Sequence, residues 1–527
     1  MKKLLPAALA LSALLTACPR TTPPIVEPPA DIPLVRTLDF TGFDGKVTLR
    51  TGGSKKLSLD AEPEYIAVSA DGKTAYVTLQ ESNGVATVDI AGGVISAVTS
   101  LGLKDHSLPG NGLDASDRDG AGGKGAINIQ NWPVKGAYMP DSIASISVGG
   151  KTYLLTANEG DGRDYKGFAD EVRVKDLKLD PTAFPNAADL QKDAALGRLT
   201  VSSVDADTDG DGDADVLVAF GARSMTVWDS DMKRVADTGD LFGQKTAQIS
   251  PTTFNSNGSA DTFDTRSDNK GAEPEGVTTG VLGGKTFAFV GMERASGVAV
   301  LDVSNPAAPA WVDYAHFQPD PAAAPDSAAA GDLGPEGLLF IPAADSSGAQ
   351  PLLVVSNEVS GSVTLYGVAT DGKLTLKGRY QFPNAYSLSA AEISAYDKAS
   401  KKLFVVNGQS KGLSVLDISM PSAPRLAGQI DLSKYGAGAN SVAVHNGVVA
   451  VAVEAAVKTD PGKVALLNTD GSERAPAITV GALPDMLTFT PDGQFIVVAN
   501  EGEPNDDYTI DPAGSVSIIN VGKALNP

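Results

Sequence analysis

Residues 205–215 carry the clearest chemical signal in this chain, because six aspartates alternate there with small residues. Asp205, Asp207, Asp209, Gly210 and Asp213 match positions one, three, five, six and nine of a calcium-binding loop. A second register, one step later, fits equally well. In both registers a valine stands where an EF-hand has its bidentate glutamate. The spacing therefore predicts a short calcium hairpin with a structural role, whose candidate ligands are Asp205, Asp207, Asp209, Asp211, Asp213 and Asp215.

A second set of acidic residues recurs at fixed points along the chain. Pro-Glu or Pro-Asp pairs precede apolar runs, and glutamates follow other apolar runs. Carboxylates at equivalent positions of a repeat form a ring, and packed like charges favour a hard cation or basic side chains between them. The alternative is that each acid only caps a turn or bonds loop backbone. The candidate residues are Glu64, Asp141, Glu159, Asp161, Glu275, Glu336 and Glu501.

The elements that must position these acids are short strands. An apolar strand, a short polar stop and a second strand return eight times, for example at residues 75–89 and 495–520. Such repetition predicts an all-β chain folded as a single β-propeller of eight four-stranded blades, or seven if the unit around Asp205 is an insertion. In this prediction the first blade begins with a strand at 35–40 and the last blade ends at 516–520, so that both chain ends carry whole blades.

The loops of this propeller are expected to be unequal. Up-and-down connectivity places the long segments on one face, which we expect to be the working surface, and residues 205–215 on the opposite face. These long segments are residues 104–137, 160–170, 243–272, 318–334 and 502–514.

The amino-acid composition limits the classes of partner that this protein is expected to bind. The chain has 56 Gly and 33 Pro, only 20% charged residues and a net charge of -22. Abundant turn formers and β-formers favour an all-β body, and the strong negative charge argues against nucleic acid or an anionic membrane surface as partner. Cations or cationic partners fit better, and we expect a monomer.

The sequence of the N-terminus predicts that the protein is exported from the cytoplasm. Lys2 and Lys3 precede an apolar run at 4–15 that suits a signal peptide, and the run ends in a segment that resembles a bacterial lipobox with Cys18 as the lipidated residue. The alternative is a plain secretory signal with an incidental cysteine. Cys18 is the only cysteine, so the chain has no intrachain disulfide or cysteine-based zinc site. We therefore predict a signal peptide at 1–18, a proline-rich tether at 19–33 and the propeller at 34–527, in an extracytoplasmic protein anchored by lipid to the bacterial cell envelope.

Several longer motifs resemble the choice-of-anchor I family of bacterial surface proteins, over about residues 35–521. They lie at residues 105–114, 157–161, 273–276, 391–397 and 500–507. The resemblance implies a propeller of the YVTN or quinoprotein-amine-dehydrogenase-like kind and attachment to the cell surface. Relatives carry labels such as alkaline-phosphatase-like, phytase-like or mesenchyme-specific surface glycoprotein. In relatives the Ala-Glu-Ile segment usually opens the domain, whereas here it follows the 334–337 region that normally closes it, which implies a circular permutation.

Two functions fit these observations. The first is a calcium-stabilised binding or scaffolding module whose ligand, a small molecule, glycan or protein, stays open. The second is a metal-dependent phosphoesterase in which the acids hold a metal and Arg163, Arg266 or Arg294 holds phosphate. No nucleophile elbow, phosphate loop or zinc-binding histidine spacing occurs in the sequence, so no catalytic residue can be named.

Overall fold

The computed structural model describes residues 33–526. The predicted signal peptide, Cys18 and all but the last residue of the predicted tether lie outside this range. Within it, no helix combines the length and the apolar composition needed to cross a membrane.

Thirty-five strands build the described residues. Those of the first half of the chain are β1 (Val35–Asp39), β2 (Pro63–Val68), β3 (Thr74–Leu79), β4 (Gly84–Asp89), β5 (Val94–Ser100), β6 (Leu103–Asp105), β7 (Lys135–Ala137), β8 (Ile143–Val148), β9 (Lys151–Asn158), β10 (Asp164–Tyr165), β11 (Phe168–Ala169), β12 (Glu171–Arg173), β13 (Thr200–Ser202), β14 (Val218–Ala219), β15 (Ser224–Asp229) and β16 (Arg234–Asp237). Those of the second half are β17 (Pro274–Leu282), β18 (Lys285–Met292), β19 (Gly297–Asp302), β20 (Ala310–Ala315), β21 (Pro335–Ile341), β22 (Leu352–Asn357), β23 (Ser362–Val368), β24 (Leu374–Gln381), β25 (Ser394–Asp397), β26 (Lys402–Asn407), β27 (Gly412–Asp417), β28 (Arg425–Asp431), β29 (Gly438–His445), β30 (Val448–Glu454), β31 (Pro461–Asn468), β32 (Glu473–Ala482), β33 (Pro484–Phe489), β34 (Phe495–Asn500) and β35 (Ser515–Asn520).

Helices are short and peripheral to the sheets. The α-helices are α1 (Leu57–Asp60), α2 (Ala187–Leu190), α3 (Leu241–Ile249) and α4 (Val521–Leu525), and the 3₁₀ turns are Thr41–Phe43, Val174–Asp176, Pro251–Thr253 and Ala260–Thr262.

Seven antiparallel sheets of four strands form the blades. They are β2-β3-β4-β5, β8-β9-β15-β16, β17-β18-β19-β20, β21-β22-β23-β24, β25-β26-β27-β28, β29-β30-β31-β32 and β33-β34-β35-β1, called blades 1 to 7. The first strand of each blade contacts the first strand of the next, and β33 contacts β2, so the seven sheets close into one ring. The predicted β-propeller is confirmed, with seven blades rather than eight.

The unit around Asp205 is not a blade. Strand β15 pairs with β9, from Ser224 opposite Asn158 to Asp229 opposite Tyr153, and everything between them is an insertion at residues 159–223. The apolar run at 216–220 resembles a blade strand in sequence. In the structure it contributes β14 to a separate five-stranded sheet, β12-β13-β14-β7-β6. Its apolar side chains, including Leu217 and Ala219, pack in a core of the insertion and its neighbours.

The prediction that both chain ends carry whole blades is wrong. Strand β1 is the outermost strand of blade 7, where Val35 lies opposite Ile519 and Asp39 opposite Ser515. Each predicted blade was therefore shifted by one strand, and the innermost strand of blade 1 is β2. Pairing the two ends of the chain closes the ring with backbone hydrogen bonds, which leaves β35 without an open edge.

The cores lie between blades and explain why the strands are continuously apolar. In β30, Val449, Val451 and Val453 pack towards blade 5, whereas Val448, Ala450 and Ala452 pack towards blade 7. Side chains alternate between the two faces of a strand, and both faces of a blade are covered by its neighbours. Tight turns join the inner strands, as at Asn446 and Gly447, whose φ values of 49° and 78° suit a two-residue hairpin.

Every long predicted loop lies on one face of the ring, here called the loop-rich face. The connections at 101–142, 159–223, 238–273, 316–334 and 501–514 all leave the end of the blades at which the innermost strands begin. Residues 205–215 belong to the second of these connections, so the prediction that they lie on the opposite face is wrong. The reason is that β9, and not a strand next to the aspartates, is the partner of β15.

Candidate functional site

A repeated backbone device begins most innermost strands. The residue before the proline adopts a left-handed conformation in Glu62, Met139, Glu273 and Leu483, with φ between 44° and 55°, and Gly334 takes this place in blade 4. Non-glycine residues rarely adopt this conformation, and it costs about 1–3 kcal/mol each. A register shift follows within the strand in blades 1, 3, 4, 6 and 7. Such bulges redirect side chains.

In five blades this device precedes the residue at one equivalent position, and six of the seven residues at that position line a cavity at the centre of the ring. The seven equivalent positions are Glu64, Asp141, Glu275, Glu336, Glu392, Asn440 and Asp485. Six of the seven are acidic, and the exception is Asn440. Glu392 and Asn440 follow alanine instead of proline. The repetition of Pro-Glu and Pro-Asp in the sequence is thus the signature of an axial ring.

The ring borders a cavity of about 200 Å³, here called the axial cavity. Of the predicted acidic site, Glu501 is the one residue that does not line the cavity. Burial raises the pKa of Glu501 well above its usual range, and repulsion by Asp485 raises it further. Sequence analysis left five polar lining residues out of the candidate site: Tyr65, Gln80, Asn440, Ser441 and Asp485. The predicted acids in the lining are Glu64, Asp141, Glu159, Asp161, Glu275 and Glu336.

Three of these carboxylates have no partner for one oxygen. The Oε2 atoms of Glu64, Glu275 and Glu336 are buried and make no hydrogen bond within residues 33–526. A buried, unpaired carboxylate oxygen is costly, because it has lost water without gaining a donor. The cavity therefore favours protons or a cation.

Burial raises the pKa of the axial carboxyls, and their neighbours raise it further. The pKa of Glu64 lies well above its usual range, with Asp141 adding to the effect of burial, and the pKa of Glu336 is raised in the same way beside Glu392. The pKa of Glu392 is raised to about 8 by burial and Glu358, and that of Asp485 to about 7 by burial and Glu503. The axial carboxyls therefore hold protons at pH values at which an ordinary carboxyl has already lost its proton.

One wall of the axial cavity already holds an ammonium group. Lys270, from the loop between β16 and β17, places Nζ 2.7 Å from Glu159 Oε1 and 3.3 Å from Asp161 Oδ1. Gln80 donates to the other oxygen of Glu159 at 3.0 Å. Burial opposes the charged lysine, but Glu159 and Asp161 raise its pKa well above the usual range. No sequence repeat marks Lys270, which explains why sequence analysis missed it.

The arginines that were candidates for phosphate binding are already paired with acids. Arg163 is buried and contacts Glu62 at 2.8 Å. Arg266 and Arg294 both reach Glu273, at 2.6 and 3.3 Å. Oxygens of Glu159, Glu273 and Glu293 lie within 4.8 Å of one another, a spacing that suits a metal ion, but Lys270 and Arg294 neutralise this group from within the chain.

Three cavities larger than the axial cavity lie elsewhere in the described residues, and fewer charged residues line them. One of about 370 Å³ opens where the inner turns meet, and is lined by residues such as Tyr396, Lys398 and His445. His445 contacts Asn446 at 2.9 Å and packs on Phe489, and burial lowers its pKa. Its partners therefore indicate a structural role. The axial cavity, in contrast, has seven carboxyl groups in its lining.

The predicted calcium residues divide between two groups. Oxygens of Asp207, Asp209 and Asp215 lie within 4.8 Å of one another, and so do those of Asp180, Asp213 and Asp215. Asp205 instead pairs with Arg50 at 2.5 Å, and Asp211 belongs to neither group. Asp180 had no place in the sequence motif.

Comparison with known proteins gives one family and several distant likenesses. The profile of the choice-of-anchor I domain matches residues 30–306 and 392–525. Gigasin-3a of Magallana gigas is 30% identical over 190 residues, which are 34% of this chain and 66% of that protein, just under two thirds of its length.

Among solved structures, the RRP9 WD40 repeats are 10% identical with a TM-score of 0.45, covering 92% of this chain and 97% of that one. The Cps50 (Swd1) β-propeller domain of Myceliophteria thermophila is 9% identical with a TM-score of 0.42, covering 90% and 98%. The fold rests on the strand pairing above rather than on these low scores.

Proposed function

This chain belongs to the choice-of-anchor I domain family, and we propose that it is a cell-surface β-propeller that binds a positively charged amine of its ligand in the axial cavity. The family and the fold support a surface β-propeller module. The chemistry of the ligand comes from the site.

The observation that carries the proposal is the set of unpartnered oxygens on Glu64, Glu275 and Glu336 around one enclosed cavity. An ammonium group supplies up to three donors and a positive charge, and hydrogen bonds between charged groups are the strong ones. Lys270 shows the same kind of recognition within the chain, because its ammonium group already contacts two acids of the cavity lining, Glu159 and Asp161. A peptide lysine or a polyamine has this chemistry.

Isothermal calorimetry with spermidine as probe tests the proposal. We expect saturable binding that weakens with salt, because screening reduces attraction between charges. Glu336→Gln removes one charge-assisted partner and should weaken binding about 10- to 100-fold. The matched control is Asp371→Asn, which removes the same charge from an exposed turn of the same blade and should leave binding unchanged. Equal binding by both variants would contradict the proposal.

Attachment to the envelope through a lipid on Cys18 is part of the proposal. The lipobox-like segment and the following prolines support it. Labelled fatty acid should enter the protein in bacterial cells, and Cys18→Ala should abolish the label and release the protein from membranes. Labelling that persists in the variant would exclude this anchor.

A metal-dependent phosphoesterase is the second candidate function. The close oxygens of Glu159, Glu273 and Glu293 favour it. The engagement of Arg163, Arg266 and Arg294 with acids weakens it, because no free guanidinium among them is left for phosphate. Purified protein should be assayed on p-nitrophenyl phosphate and phytate, with calcium and after chelation. Metal-dependent turnover that Glu293→Gln abolishes in folded protein would favour the enzyme.

A further inference from the structure

We propose that the insertion of blade 2 binds two calcium ions that share Asp215, one held with Asp207 and Asp209 and the other with Asp180 and Asp213. This site lies outside the axial cavity and does not depend on the ligand proposed there. It also goes beyond the loop motif of the sequence, because Asp180 lies 25 residues before the first aspartate of that motif.

The spacing of the oxygens suits one ion in each group. Within each group, one oxygen from every aspartate lies within 4.8 Å of the others. Calcium binds oxygens at about 2.3–2.6 Å, so ligands on opposite sides of one ion lie up to about 5 Å apart. Asp215 belongs to both groups. Its Oδ2 accepts hydrogen bonds from Thr208 N at 2.8 Å and Thr208 Oγ1 at 2.7 Å, and its Oδ1 accepts none from the described chain.

Backbone pairing holds Asp180 beside the loop. Leu179 and Ala214 form a parallel bridge, in which Asp180 N donates to Ala214 O at 3.0 Å and Ala214 N donates to Lys178 O at 2.8 Å. This pairing fixes the segment before Asp180 against the end of the aspartate loop. The second group is thus built by the fold of the insertion.

Asp213 gives independent evidence for a ligand. Its side chain is only 7% exposed. One oxygen accepts from Lys178 Nζ at 2.9 Å, but Oδ1 is buried and has no hydrogen-bond partner in residues 33–526. A buried carboxylate oxygen without a donor needs compensation, and a cation in the second group supplies it.

The balance of charges around the loop also favours bound cations. The six aspartates of the loop and Asp180 form ion pairs with only two basic groups of the described chain, Arg50 at Asp205 and Lys178 at Asp213. Two divalent cations would offset most of the remaining repulsion.

The ligand types select calcium. Both groups offer only carboxylate oxygens, which are hard ligands, whereas zinc and copper prefer histidine or cysteine. Gly210 and Gly212 have φ values of 86° and 90°, and their N–H groups donate to Asp207 at 2.7 and 3.0 Å. This irregular, partly exposed loop fits the flexible coordination of calcium better than the strict octahedron of magnesium.

Calcium binding at this site would order the region beside the axial cavity. Asp205 pairs with Arg50, and Arg50 also reaches Asp170 at 2.8 Å and donates to the backbone oxygen of Glu81 at 2.8 Å. The same insertion carries Glu159 and Asp161 of the cavity lining. The two ions would therefore stabilise the insertion against the propeller.

The test is the calcium stoichiometry of metal-free full-length protein, measured by equilibrium dialysis with elemental analysis. We expect two ions in the wild type, one in Asp180→Asn, one in Asp209→Asn and none in Asp215→Asn. Asp211→Asn is the matched control, since it lies in the same loop outside both groups, and should retain two ions. Magnesium at equal concentration should not displace the calcium.

Melting curves recorded with calcium and with chelator show whether each variant is folded. We expect calcium to raise the melting temperature of the wild type and of Asp211→Asn, because a ligand that binds only the folded state stabilises it. Two ions retained by Asp180→Asn, or only one ion bound by the wild type, would overturn the shared site. An unchanged melting curve in metal-free wild type would overturn calcium binding altogether.

Discussion

At the scale of single residues, the axial acids are held where their charge is costly. Glu64, Glu275 and Glu336 each leave one buried oxygen unpaired, and the backbone before Glu64 and Glu275 is left-handed at a non-glycine residue. Strain and unpaired charge together lower stability, and sites that retain both are commonly functional. This combination is why we assign binding to the cavity rather than only loop ordering.

The raised pKa values predict that stability falls as pH rises. Burial and neighbouring acids raise the pKa of Glu336 well above its usual range, that of Glu392 to about 8 and that of Asp485 to about 7. The folded protein therefore holds protons on these groups that the unfolded chain releases. Stability rises with pH only where the unfolded state binds more protons, so here it should decrease from pH 5 to pH 8. Glu336→Gln should stabilise the protein by about 1–2 kcal/mol at pH 8 and have little effect at pH 5. Denaturant unfolding at both pH values measures this. A larger gain at pH 5 would contradict it.

Lys270 offers a test of amine recognition inside the chain. Lys270→Ala leaves Glu159 and Asp161 without their shared ammonium and should destabilise the protein by about 2–4 kcal/mol at pH 7.5. Added propylammonium should recover part of this loss, whereas tetramethylammonium, which has no N–H donor, should not. Thermal unfolding with each cation gives the answer, and equal rescue by both would show simple charge screening.

Sequence reasoning found the axial acids because the ring repeats them. Sequence reasoning missed Asn440 because blade 6 has alanine and asparagine where other blades have proline and an acid. It missed Lys270 because this residue lies in a loop that no repeat marks. Asp180 reaches the calcium residues only through backbone pairing that no local spacing reveals.

At the scale of elements, the insertion at 159–223 decides the blade count. Its strand at 218–219 has the same apolar character as a blade strand, and only the long-range pairing of β15 with β9 separates the two interpretations. Sequence patterns report which faces of a strand are apolar, but not which distant strand completes the sheet.

A glycine at the base of the insertion tests this arrangement. Gly221 has a φ of 72°, and a Cβ there would overlap the backbone of Glu159. Gly221→Ala should therefore destabilise the protein by about 3 kcal/mol or more, from strain and overlap together. Gly283→Ala is the control, with a φ of 58° in a turn with open space around it, and should cost about 1 kcal/mol. Equal losses in urea unfolding would mean that the close approach at Gly221 is absent.

At the scale of the whole molecule, the ring is closed by its own ends. Strand β1 pairs along its full length with β35, and Asn520 N donates to Leu34 O at 2.9 Å. The chain that leaves the predicted tether thus joins the outermost strand of blade 7. The neighbouring ends also make the predicted circular permutation physically simple, although the permutation itself stays a prediction.

Removing β1 should open the ring. A chain that begins at residue 41 loses the partner of β35 and exposes a strand edge, so it should melt at lower temperature and aggregate. A chain that begins at residue 33 keeps β1 and should behave like the full-length protein. Melting curves with light scattering distinguish the two, and identical behaviour of both chains would refute closure by β1.

The central claim is that the axial cavity binds an amine. A crystal structure of the protein grown with spermidine tests it most directly. We predict density for an ammonium group within hydrogen-bond distance, about 2.7–3.2 Å, of carboxylate oxygens of Glu64, Glu275 or Glu336. Spermidine bound only outside the cavity, with those oxygens facing water alone, would contradict the account.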